Sequence, residues 1–151
     1  MNGHDSSTQG RSTHSPRRPR RRQGENRERL LDAGIIEFAS KGYYGSSTAA
    51  IATRADVPQP HVYANFRTKQ ELFLACAARV HDSVIDPGIA GKSHSSSQDE
   101  QIARFVYQLV ALLEDPSLGQ QVRKIAHYLR GALGEQRFDA LLLRGGHSLL
   151  G

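Results

Sequence analysis

The run Thr48-Ala49-Ala50-Ile51-Ala52-Thr53-Arg54-Ala55-Asp56-Val57-Pro58-Gln59-Pro60-His61-Val62-Tyr63-Ala64-Asn65-Phe66 decides the fold of this 151-residue chain. Ser46 and Ser47 stand ahead of it, and a hydroxyl before good helix formers is an N-cap signal. A short helix is therefore predicted from Thr48 to Ala55. Asp56-Val57-Pro58 breaks it. A further helix fits Gln59 to Phe66, because Pro58 or Pro60 can occupy a first turn, where a missing N–H costs little. At about 100° per residue, Val62 and Phe66 share one face of that helix. The opposite face centres on Pro60 and Ala64, flanked by His61 and Tyr63. Bulk on one side and compact hydrogen-bonding groups on the other suit a helix that enters a DNA groove.

Toward the N-terminus, Asn26–Lys41 carries Leu31, Ile35 and Phe38 at i, i+4, i+7, with Leu30 and Ala39 alongside. That spacing predicts an amphipathic helix, and Gly42 fits as its stop. Toward the C-terminus, Thr68 with Glu71 three positions on predicts a capped helix. Its apolar face is Leu72, Phe73, Ala75, Cys76 and Val80, and it ends near Asp86. Pro87–Ser97 reads as a loop. Two more helices fit 99–114 and 117–133, lined by Ile102, Phe105, Val106, Leu109, Val110 and Leu113, then by Val122, Ile125, Ala126 and Leu129. Phe138–Leu143 can start another, with Gly145-Gly146 as its end and the last five residues too few for an element. No strand or repeat is predicted. The fold class is all-α: a three-helix helix-turn-helix domain followed by a shortened helical domain.

Charge is unevenly distributed. Residues 1–24 hold Arg11, Arg17, Arg18, Arg20, Arg21 and Arg22 against Asp5 alone, a net +5 that equals the charge of the whole chain. With Ser, Thr, Gly and Pro making up much of the rest, this segment is expected to be a disordered arm. Its arginines favour polyanions or simply raise solubility. The expected division is therefore an arm at 1–24, a helix-turn-helix domain at 25–68 and a C-terminal helical domain at 69–151. No run of 18 apolar residues exists, so no membrane span is expected. A single cysteine, Cys76, forbids an internal disulfide and fits the cytoplasm. The histidines lack mutual ligand spacing, so neither metal nor cofactor is expected. No nucleophile–base pair, phosphate loop or carboxylate dyad points to an enzyme.

Arg29–Val80 resembles the DNA-binding domain of TetR-type transcriptional regulators. The matching marks are Leu30-Leu31-Asp32-Ala33, Phe38, Lys41-Gly42-Tyr43, Ser47, Ile51-Ala52, Ala55, Val57, Tyr63, Phe66, Lys69 and Glu71-Leu72-Phe73. The resemblance implies a cytoplasmic, ligand-responsive repressor that binds a palindromic operator in double-stranded DNA as a homodimer and answers to a small-molecule effector. It implies that Ser47, Tyr63 and Lys69 hold phosphates, and that Gln59 and His61 read bases, with Asn65 either beside them or capping its own helix. Candidate effector-pocket residues are Phe105, Leu109 and Tyr128, with plain core packing as the alternative. Asp56 stands where the family usually has glycine, and Pro58 where a serine usually caps the recognition helix. The helices of the usual dimer interface are expected to be missing. Two other functions remain open at this point: a truncated or accessory fragment that forms mixed dimers, and a non-specific polyanion binder acting through the arginine arm.

Overall fold

The computed structural model describes residues 23–86 and 95–151. Seven helices make up this part: α1 (Gln23–Gly45), α2 (Thr48–Ala55), α3 (Gln59–Asn65), α4 (Lys69–Ile85), α5 (Ser96–Val110), α6 (Gly119–Leu133) and α7 (Glu135–Leu150). Among the described residues there is no strand. No helix there is long and apolar enough to cross a membrane, and no group of three or more His, Cys, Asp or Glu is placed to hold a metal.

The amphipathic pattern of α1 buries Leu30, Leu31, Phe38 and Ala39, while Ile35 is only half-buried. Glu37 is buried instead, at 1 % exposure. Two cations make that position tenable: Lys41 Nζ lies 2.5 Å from Glu37 Oε1, and Arg54 Nη2 of α2 lies 3.2 Å from Oε2. The hydrogen bond from Lys41 holds the Glu37 carboxyl below its usual pKa against the opposing effect of burial, and Arg54 adds to it. Gly42 takes φ 71°, ψ 176° and interrupts the helix where a stop was expected.

One continuous apolar core runs from Leu30 in α1 to Phe138 in α7. Its centre is aromatic. Phe73 of α4 packs edge-on to Phe38 of α1 (centroids 5.1 Å apart) and stacks on Phe105 of α5 (5.5 Å). Phe105 and Leu109 are thus core residues, whereas Tyr128 is 66 % exposed, so the three do not converge on a pocket. Cys76 is fully buried, and burial pushes its thiol pKa up, as befits core filler.

Three sequence-based boundaries require correction. Gln23 and Gly24, expected to close the arm, begin α1; the rest of the arm lies outside the described residues. α5 starts at Ser96 rather than 99, because Ser95 and Gln98 form a reciprocal capping box. Most of the expected loop before it, residues 87–94, lies outside the described residues. Lastly, α7 runs through Gly145-Gly146 to Leu150 instead of ending there. Those glycines face α5: a Cβ on Gly145 would stand 2.2 Å from the Ala103 carbonyl oxygen. Here glycine permits close helix packing rather than terminating the helix.

Candidate nucleic-acid interface

Local chemistry sets each piece of the α2–α3 unit. Ser46 is buried and its hydroxyl donates to the Gly42 carbonyl oxygen (2.7 Å), closing the end of α1. Ser47 then caps α2, its Oγ accepting from Ala50 N at 3.1 Å. Asp56 ends α2 in the left-handed region (φ 51°, ψ 47°), and its N–H reaches back to the Ala52 and Thr53 carbonyls. An acidic residue tolerates this conformation better than most, and Arg29 of α1 approaches its carboxylate at 3.6 Å. Pro58 precedes α3 without a side-chain cap, and Pro60 sits in the first turn.

Val62 and Phe66 fasten α3 to the body, with 1 % and 2 % exposure. Pro60, His61, Tyr63 and Ala64 face outward, as the arithmetic of the helix predicts; Gln59, which that arithmetic puts on the Val62–Phe66 side, is exposed at the start of the helix. The structure brings some of the candidate residues together. Tyr63 hydroxyl lies 3.2 Å from Thr48 Oγ1, which gathers the hydroxyls of Ser47, Thr48 and Tyr63 at the start of α2. Lys69 sits near the same end: its Nζ donates to the carbonyls of Tyr43 (2.9 Å) and Ser46 (3.2 Å), and lies 4.4 Å from the centroid of the Tyr43 ring. An ammonium has three protons, so two are committed within the protein. Gln59 stands exposed at the start of α3. Asn65 turns back, donating to the His61 carbonyl at 2.7 Å, and so closes its own helix.

Three participants escape sequence reasoning. Thr48 is signalled only by its place after the cap. Asn26 places Nδ2 3.4 Å from His61 Nδ1 across 35 positions, and no local pattern announces that contact. Tyr44 is 70 % exposed and hydrogen-bonds the Asp115 carboxylate. Asp115 in turn accepts from the backbone N–H groups of Ser117 and Leu118, so the turn before α6 is tied to the end of α1.

Residues 30–76 match the model of a family described as bacterial regulatory proteins, tetR family. The HTH-type transcriptional activator FasR of Mycolicibacterium smegmatis is 32 % identical over 80 residues, 53 % of this chain and 36 % of its own. An uncharacterized HTH-type transcriptional regulator of Bacillus subtilis, YdgC, is 32 % identical over 60 residues, 40 % of this chain and 31 % of its own. The match thus spans about a third of the length of these curated relatives. A solved structure of a putative tetR family transcription regulator from Shewanella sp. PV-4 shares 23 % identity at a TM-score of 0.46, covering 82 % of this chain and 71 % of that one.

Proposed function

We infer, from the similarity of residues 30–76 to the tetR family of bacterial regulatory proteins, that this chain is a sequence-specific transcriptional regulator acting on double-stranded DNA. The observation that carries this is the two-sided character of α3: Val62 and Phe66 are buried, while the opposite face, Pro60 and Ala64 flanked by His61 and Tyr63, is exposed, as is Gln59 at the start of the helix. Phosphate contacts position a protein on the duplex, and base contacts specify the site. Ser47, with the N-terminal N–H groups of α2 behind it, and Tyr63, beside Thr48, suit a phosphate. Lys69 retains one proton for the flanking backbone. Gln59 and His61 suit base edges in the major groove, where a glutamine can pair bidentately with adenine. In this reading residues 25–68 grip DNA and residues 69–151 regulate the grip. The operator is palindromic, two copies bind it, and a small-molecule effector favours a spacing of the two α3 helices that no longer fits the groove. Exposed apolar groups on the C-terminal helices, Tyr107, Tyr128, Leu143 and Leu150, are surface available for pairing.

Selection of bound sequences from a random duplex pool tests the function. The expected result is a palindrome with half-sites spaced by whole helical turns. Recovery of unrelated sequences with no shared motif would contradict it.

A further inference from the structure

The polar groups around the outer face of α3 are partly engaged within the protein. The Tyr63 hydroxyl meets α2, 3.2 Å from Thr48 Oγ1. Asn65 Nδ2 donates to the His61 carbonyl at 2.7 Å. His61 Nδ1 lies 3.4 Å from Asn26 Nδ2 of α1. An amide nitrogen only donates, so that ring nitrogen accepts and Nε2 alone carries a proton. Gln59 stands at the start of the helix, on the Val62–Phe66 side.

The centre of the face is apolar. At about 100° per residue, Ala64 lies about 180° from the midpoint between Val62 and Phe66, and Pro60 lies about 40° from Ala64. Both are exposed, and residues at this spacing are neighbours on one side of a helix. A methyl group and a proline ring therefore stand furthest from the body of the protein, and neither side chain offers a hydrogen bond.

In the major groove thymine alone presents a methyl group, whereas guanine, adenine and cytosine present donors and acceptors. Set against those polar edges, Ala64 and Pro60 would displace water and return no hydrogen bond, which is a net cost. Set against a thymine methyl, they bury apolar surface on both sides. The shortness of Ala64 lets the base edge approach the helix closely.

We propose that Ala64, with Pro60 beside it, reads the 5-methyl group of a thymine in each half-site, so that thymine at this position is a fixed element of the operator. This rests on the function proposed above, which puts α3 in the groove. The polar groups on either flank then read the neighbouring base pairs.

The test uses the full chain and the selected operator, with each thymine replaced in turn, in both half-sites, by deoxyuridine. That replacement deletes the methyl and keeps every hydrogen-bonding group of the base. For the wild type, one thymine or two adjacent ones should stand out, with affinity falling about fourfold for each half-site, the worth of one buried methyl-sized group. Ala64→Gly removes the methyl on the protein side, and Ala64→Ser puts a hydroxyl there while sparing the helix the cost of glycine. In both variants the ratio of thymine to uracil affinity at that position should drop below about twofold. The ratio compares two duplexes on one protein, so any loss of folded variant cancels. A selected half-site without thymine contradicts the methyl contact, as does a wild-type affinity that no deoxyuridine changes, or an unchanged ratio in either Ala64 variant. In each of these cases a chain that still prefers its operator to a scrambled duplex leaves the proposed function standing. Equal binding of the wild type to operator and scrambled duplex contradicts the entry of α3 into the groove, and the methyl contact with it.

Discussion

Phe73→Ala is expected to lower stability by about 3–5 kcal/mol, the usual cost of emptying a phenylalanine site in a packed core. Phe73 is fully buried. It touches Phe38 of α1, Tyr43 at the end of α1 and Phe105 of α5, with centroid distances of 5.1, 5.2 and 5.5 Å. Two other helices, α1 and α5, converge on this ring, so the neighbours cannot collapse into the void without moving whole helices. Domains are typically stable by about 5–15 kcal/mol, so the variant should lie near the threshold of folding. Denaturant titration of the wild type and the variant checks this. A midpoint shift equivalent to less than about 1 kcal/mol would mean that Phe73 does not join these helices.

Gly145→Ala should destabilise, although alanine normally favours a helix interior over glycine by about 1 kcal/mol. The added Cβ would lie 2.2 Å from the Ala103 carbonyl oxygen, 2.7 Å from its carbon and 2.9 Å from Tyr107 Cβ. Backbone cannot swing aside as a long side chain can, so α7 must lift away from α5. Overpacking of this kind costs about 1–3 kcal/mol. Gly131 of α6 provides the opposite case: nothing stands within 4 Å of its would-be Cβ, so Gly131→Ala should stabilise by up to about 1 kcal/mol. Thermal melts of the two single variants should therefore shift in opposite directions. A higher melting temperature for Gly145→Ala would remove the α5–α7 contact from the fold.

The same glycine shows where sequence reasoning stops. Gly145-Gly146 looks like a helix end because the local cost of glycine is visible and the neighbouring helix is not. By contrast, the bounds of α2 and the start of α4 are legible, because Ser47 and Thr68 cap them through backbone atoms three residues away. The left-handed Asp56 and the buried pair Val62 and Phe66 follow from local rules as well. Glu37 is not legible as a buried residue, since its partner Arg54 lies 17 positions on in another helix. Nor are the internal partners of Lys69: a cation at a helix start looks available to phosphate, yet the fold brings the carbonyls of Tyr43 and Ser46 to it. At the candidate interface, helical spacing identifies which residues face outward on α3. It cannot show that the Tyr63 hydroxyl meets Thr48, or that the first turn of α1 reaches His61.

Whether the outer face of α3 reads bases is best measured with Gln59→Ala and Tyr63→Phe on the selected operator and on a scrambled duplex. Gln59→Ala should erase about 1–3 kcal/mol of preference for the operator while leaving scrambled DNA bound as before. Tyr63→Phe should weaken both duplexes alike. Equal losses on the two duplexes for Gln59→Ala, or none at all, would contradict the entry of α3 into the groove.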